Sequence, residues 1–344
     1  MGAHRYKRLE ALSLWVTAAC CILSLAAEVR AEDQGRFTIL EENDSLFFNS
    51  DKHYTQGLRL SDLSPTLEPE RGWNELFGFV GANTPFLQGG RDRRIALFLG
   101  QSVFTPKNLS LKPPDPHDRP YAGWLYVGAS LLQDTNRQML ENLELDAGVI
   151  GPGSLAKQVQ NDFHQFIGVA QAKGWSSQLQ NEPGILLTYE RLWRVPLTGN
   201  PNNGIDIVPQ LGATAGNVMT YGDVGGLLRI GKGLQADYGP VRVRPSSSGT
   251  DYFDAAALEG EVGFYFFAGA QGRAVGHNIF LDGNTFRNSP SIPKKFLVAD
   301  LQAGFSLVWS TSFRFDVSVV RRTEEFRGQR TPDETCTVAL AFSW

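Results

Sequence analysis

The stretch Leu297-Val-Ala-Asp-Leu-Gln-Ala-Gly-Phe-Ser-Leu-Val-Trp-Ser310 alternates over its whole length. Successive side chains of a strand point to opposite faces. Leu297, Ala299, Leu301, Ala303, Phe305, Leu307 and Trp309 therefore share one face, and Asp300, Gln302, Gly304, Ser306 and Ser310 lie on the other. The same period recurs in Asn142 to Val149, in Glu261 to Gln271 and in Phe313 to Val319. One face is apolar each time; the other is polar or glycine.

A soluble β-sandwich also alternates. Three features point instead to a membrane barrel. The strands run to about ten residues or more, the length of a tilted bilayer span. Aromatic residues sit near strand ends (Trp124, Tyr126, Trp193, Trp309), as in interfacial girdles. The chain finishes Cys336-Thr-Val-Ala-Leu-Ala-Phe-Ser-Trp344, where Val338, Leu340, Phe342 and Trp344 alternate up to an aromatic last residue. That ending resembles the assembly signal of bacterial outer-membrane proteins, so the barrel-assembly machinery is an expected partner. Candidate strands begin near residues 36, 52, 93, 121, 139, 184, 203, 222, 256, 274, 296, 312 and 334. Single-chain bacterial barrels have even strand numbers. The segment near 274 is the weakest, which leaves an all-β, twelve-stranded antiparallel outer-membrane β-barrel, monomeric and of one domain.

Composition agrees. With 42% hydrophobic and 20% charged residues in 344, and a mean hydropathy of −0.21, the chain is too polar for a bundle of membrane helices. It is too rich in aromatic and branched residues for disorder. A net charge of −4 gives no reason to expect nucleic acid. Arg5, Lys7 and Arg8 precede an apolar stretch from Ala11 to Ala27 and a small residue at Ala31. Residues 1–31 read as a secretory signal peptide, and 32–344 as the barrel exported to the outer membrane. Cys336 is then the one remaining cysteine, so no intrachain disulfide is expected.

Two insertions interrupt the strands. Residues 63–92 hold a possible helical turn at Trp73 to Phe79. In residues 151–183, Leu155, Val159, Phe163 and Phe166 or Ile167 recur at helical spacing, with Lys157, Gln160, Asn161 and His164 opposite. Ser154 is a candidate N-cap and Gly168 a stop, so a short amphipathic helix is expected in this loop. Gln160 and His164, four apart, project together.

No G-x-S-x-G elbow, P-loop or zinc signature is present. Four histidines follow the signal: His53, His117, His164 and His277. Parity in Lys52 to Asp62 sets Tyr54, Leu58 and Leu60 on the apolar face and His53, Thr55, Gly57, Arg59 and Ser61 on the lumen side. The strand Phe37 to Phe48 alternates poorly, which leaves the facing of Asn43 and Asp44 open.

Five blocks then occur in order: Glu42-Asn-Asp-Ser-Leu-Phe-Phe with Asp51-Lys-His-Tyr-Thr-Gln-Gly57; Phe104-Thr-Pro with Asp118-Arg-Pro-Tyr-Ala-Gly-Trp124; Gly148-Val-Ile-Gly-Pro152; Gln160-Asn-Asp-Phe-His164; and Gly174-Trp175 with Gln178-Leu-Gln-Asn-Glu-Pro183. Together they resemble the outer-membrane lipid A deacylase family, from about residue 37 to the C-terminus. The resemblance implies a twelve-stranded barrel and a calcium-dependent carboxylic ester hydrolase. Such an enzyme removes the 3'-linked acyloxyacyl chain of lipid A, at a site between the barrel wall and a loop helix. It implies His164 as general base, Gln160 near the ester, Asn43 and Asp44 as oxygen donors to Ca2+ or water, with Asp44 the metal ligand. Thr55 would line the cleft, and Arg119 would pair with a lipid A phosphate. Family members carry a carboxylate shortly after the histidine. Here Gln165 to Gln171 contain none, and Asp162 and Glu182 are the nearest acids. That departure motivates the alternative of a catalytically inactive structural or channel-forming barrel. A serine phospholipase would need a lumen-edge serine beside a histidine, and none stands out.

Overall fold

The computed structural model describes residues 34–44, 52–68, 72–90, 92–200, 202–243, 250–258, 262–309 and 312–344. The signal segment lies outside the described residues. Twelve strands follow one another around a closed antiparallel barrel. They are β1 (Arg36–Asn43), β2 (His53–Leu63), β3 (Asp92–Thr105), β4 (Ala122–Thr135), β5 (Met139–Ile150), β6 (Glu182–Trp193), β7 (Asn203–Gly216), β8 (Met219–Lys232), β9 (Val262–Asn278), β10 (Leu297–Trp309), β11 (Phe313–Arg322) and β12 (Asp333–Ser343). The ring closes where β1 pairs with β12, Arg36 opposite Ser343 and Asn43 opposite Cys336. The two-residue ladder Val195–Pro196 continues β6 past Arg194 onto the same neighbour, β7. The expected strand near 274 is the second half of β9, a single 17-residue strand, and the expected start near 256 is a short 3-10 turn before it.

The alternation is realised as read. Leu145, Phe264, Phe266, Leu301 and Trp309 are exposed on the outer wall, while Glu144, Gln271, Asp300 and Ser306 are buried inside. An outward apolar band facing lipid removes the need for a protein core on that side. Two girdle assignments are overturned: Trp124 and Tyr126 point inward and stack on each other, ring centroids 4.0 Å apart. They stand at even positions of β4, on the same face as Gly128 and Ser130, so parity overrides the aromatic type.

The lumen holds a second surprise. Residues 233–243 and 250–258 leave the end of the barrel that carries both termini and turn into the lumen. Asp237 accepts from Arg229 of β8 and Arg314 of β11 (2.6 Å each). Arg242 meets Glu42 of β1 (2.6 Å), and Asp251 meets Arg59 of β2 (2.7 Å). The Tyr252 hydroxyl donates to Asp92 and Asp134. Asp237, Arg242 and Asp251 each have an opposite charge at hydrogen-bond distance, which buried ions require. A lumen crossed by this strap does not suit the channel alternative.

Helix α1 (Gly72–Asn83) lies in the long connection at the same end as the termini. Helix α2 (Ala156–Ile167) lies in the loop between β5 and β6 at the opposite end, and the single turn α3 (Ile279–Asp282) follows β9.

Candidate active site on the outer wall

Helix α2 starts later than expected. Pro152–Ser154 form a 3-10 turn, and the N-cap is Leu155 in a left-handed conformation (φ 60°) rather than Ser154, whose hydroxyl donates to the Gly151 carbonyl. Gly168 is the stop, with φ 72°. The helix packs on β3 and β4. Gln101, an outward residue of β3, donates to the Ser154 carbonyl (2.7 Å). Gly123 of β4 makes the close approach possible: a Cβ there would collide with Ser154 Oγ and Ala156 Cβ.

Ala156, Gln160 and His164 are the buried residues of the helix, whereas Leu155, Phe163 and Phe166 are 50%, 39% and 66% exposed. In water an amphipathic helix turns its apolar stripe to the core. Here the wall takes Gln160 and His164, the apolar flank with Phe163 and Phe166 is left exposed, and Gln158, Asp162 and Gln165 are exposed on the side away from the wall.

Two contacts hold the buried face. Gln160 Oε1 accepts from Trp175 Nε1 (2.8 Å), and Trp175 packs on Tyr121 (4.8 Å between centroids). His164 Nδ1 lies 2.8 Å from the Ala170 carbonyl oxygen. A carbonyl oxygen only accepts, so Nδ1 carries the proton, and in the neutral ring Nε2 holds the lone pair. The ring is thus held by a backbone carbonyl and not by an acid that follows it in sequence. The two nearest acids are elsewhere. Asp162 is exposed, and Glu182 accepts from Asn284 and from the Thr285 backbone.

Asn43 stands on the register row that runs beneath α2. The register places Asn43 opposite Gln56, Gln56 opposite Val103, and Val103 opposite Gly123 beneath α2. This row leads from the Asn43 strand to the seat of the helix in three strand spacings of about 4.8 Å. Asp44 Oδ2 accepts from the Lys52 N–H (2.6 Å), which closes the chain between β1 and β2. The lumen assignment of Thr55 is corrected. A bulge between Tyr54 and Gln56 shifts parity by one residue. Tyr54 turns inward to Glu42 (3.0 Å), and Thr55 turns outward to the Thr105 hydroxyl (2.7 Å). Thr105, Gln101 and Trp175 join the site unannounced. The first two stand at odd, outward positions of β3, a signal that becomes visible once the bulge is known.

Arg119 is corrected as well. Its side chain is fully buried, pairs with Glu325 (3.2 Å) and lies over the Phe104 ring (4.7 Å). It faces the lumen side, away from α2, and presents nothing to a lipid phosphate. Nearby, His53 bridges Asp333 (2.7 Å) and Asp118 (3.3 Å), tying the start of β12 and the loop before β4 to β2. Burial alone would raise the Asp118 carboxyl. Hydrogen bonds from His53 and from the Lys107 and Arg119 N–H groups outweigh it and hold that carboxyl below its usual range. His53 and His277, which pairs with Asp282 (3.1 Å), are structural as expected, and His117 is exposed.

Among the described residues no group of three or more His, Cys, Asp or Glu side chains is placed to hold a metal. The donors near Asp44 are one carboxylate, an amide and two hydroxyls, all hard oxygens. That chemistry fits calcium and not zinc, with most of the coordination left to carbonyls, water or substrate.

A closed twelve-stranded barrel with an apolar outer wall and a helix packed on that wall defines an outer-membrane β-barrel protein. The chain belongs to the family of outer membrane protein LpxR, whose model matches residues 12–344. LpxR from Salmonella typhimurium has the same fold, with a TM-score of 0.70 at 19% identity over 89% of this chain and 99% of that one. The β domain of the Bordetella autotransporter BrkA is more distant, with a TM-score of 0.42 at 12% identity over 90% of this chain and 98% of that one. No curated protein sequence matches the chain.

Proposed function

We propose that the chain is a calcium-dependent outer-membrane esterase that removes a 3'-linked acyl chain from lipid A. The observation that carries this reading is the helix seated on the outer wall: His164 and Gln160 face the wall, and Phe163 and Phe166 are exposed beside them. A lipid ester can then reach the histidine from within the leaflet.

His164 Nε2 takes a proton from water as the water attacks the ester carbonyl. The Ala170 carbonyl holds the ring in the tautomer that leaves Nε2 basic and steadies the imidazolium that forms. Gln160, whose oxygen accepts from Trp175, stands one helical turn before His164 and lies near the ester in this reading. Thr55 and Thr105 line the far side of the cleft. Asn43 and Asp44 would hold calcium, which when bound supplies positive charge for the developing oxyanion.

Mass spectrometry of lipid A from calcium-replete cells with and without the gene tests the function. A lipid A species lacking one acyloxyacyl chain is expected only when the protein is present in the outer membrane. Unchanged acylation there would remove the proposal.

Arg119 offers a smaller check. Arg119→Lys keeps the charge beside Glu325 but loses the planar group over Phe104. Barrel stability in urea is expected to fall by about 1 kcal/mol, with KM for lipid A unchanged. A raised KM would return Arg119 to the substrate.

A further inference from the structure

Helix α1 is as peculiar as α2 and sits on the same sector of wall. Its buried residue Phe77 packs with Leu87 onto Ile95 of β3 and Leu131 of β4. Those two face each other on the outer surface. The helix therefore lies outside the barrel, at the end carrying the termini.

At about 100° per residue, Phe79, Leu76, Val80, Trp73 and Phe77 form one continuous apolar arc of roughly 160°. Phe77 and the partly buried Val80 pack toward the wall. Trp73, Leu76 and Phe79 are 48%, 39% and 65% exposed. Asn74 and Glu75 lie on the opposite side. Asn74 is tethered there, accepting from Arg93 (3.2 Å) and donating to the Glu68 carbonyl (2.6 Å). A helix with one apolar flank on a lipid-facing wall and the other flank bare continues that wall's apolar surface sideways.

Height along the wall decides what covers the bare flank. Ile95, under α1, and Val103, under α2, are eight residues apart on β3. That is about 27 Å along the strand, or about 20 Å along the membrane normal at a tilt of about 40°. The lipid-facing residues Leu97, Leu99 and Val127 are exposed between the two helices. The outward apolar band of such barrels is about 25 Å tall. The two helices thus sit at its two edges.

We infer that α1 is an interfacial helix that lies in the inner, periplasmic leaflet of the outer membrane, with Trp73, Leu76 and Phe79 in contact with phospholipid acyl chains. It grips the bilayer directly below the α2 site and sets the depth at which that site meets the outer leaflet. Trp73 stands in its first turn, the position interfacial Trp residues favour. The inference rests on the barrel and its membrane and is independent of the proposed esterase activity.

The test uses fluorescent labelling at Phe79→Cys, Glu75→Cys or Leu97→Cys in a Cys20→Ser, Cys21→Ser background, with the chain in vesicles of phosphatidylethanolamine and phosphatidylglycerol. Cys336 is fully buried and stays unlabelled. A probe at position 79 is expected to be quenched by spin-labelled lipid as strongly as one at 97, and about three-fold or more above one at 75. Iodide equilibrated on both sides of the bilayer is expected to give the reverse order. Equal iodide quenching at 79 and 75 would place the helix in water and overturn the inference. Shielding of position 79 from both quenchers would also overturn it, since protein would then cover the face.

Discussion

Replacing His164 by Ala is expected to lower lipid A deacylation by about 10^3-fold while the barrel still forms, since removal of a general base costs about 10^2 to 10^4 in rate. The side chain is 5% exposed and sits on a helix whose seat is made by Gln101, Gly123 and Ala156, none of which the change touches. The change removes the hydrogen bond to the Ala170 carbonyl. The loss should fall on kcat. The residual rate should also lose its decline at acidic pH, because no imidazole remains to be protonated. Single-turnover deacylation of purified lipid A by wild type and variant, each confirmed as folded by heat-modifiable migration, measures both. A variant that deacylates at the wild-type rate would remove the base assignment while leaving the barrel, the family and the helix geometry as they stand.

That outcome bears on the acid absent after His164. The sequence comparison treats Gln165 to Gln171 as a gap in the machinery. The structure shows the orienting bond made by a carbonyl, which no reading of side chains detects. Other differences share this character. Period-two alternation marks the lipid face of β5, β9, β10 and β11 correctly because the bilayer imposes it on every second residue. It fails at Thr55, since a bulge between Tyr54 and Gln56 inserts one residue and inverts the parity above it. It fails for Trp124 and Tyr126, where residue type suggested a girdle and parity alone would have turned them inward. The lumen strap is invisible to periodicity, because its contacts with β1, β2, β4, β8 and β11 are long-range ion pairs and hydrogen bonds. The stripe on α2 was legible, but not its sense. Which face of an amphipathic helix is buried depends on what surrounds it, and on α2 the wall takes Gln160 and His164 and leaves Phe163 and Phe166 exposed.

Asp44→Asn is expected to lower activity by about 10^2-fold at fixed calcium and to raise the calcium concentration for half-activation by a similar factor, because calcium affinity follows the number of charged ligands and this site has one. The substitution isolates charge. Asp44 Oδ2 accepts the Lys52 N–H at 2.6 Å, and an amide oxygen accepts it equally, so the turn between β1 and β2 should persist. Asp44→Ala would remove that acceptor too and confound the two effects. Chelation with EGTA should abolish the wild-type rate, and readdition of calcium should restore it; magnesium, which demands tighter octahedral geometry, should restore less. Direct calcium binding by the purified barrel, read by isothermal titration with and without the substitution, separates a ligand from a structural residue. If Asp44→Asn binds calcium as wild type does and yet loses activity, the carboxylate acts on the water or the ester, and Asn43 with backbone carbonyls must supply the metal site. If wild-type activity survives EGTA, calcium leaves the mechanism, and His164 must work with Gln160 and the two threonine hydroxyls without a metal.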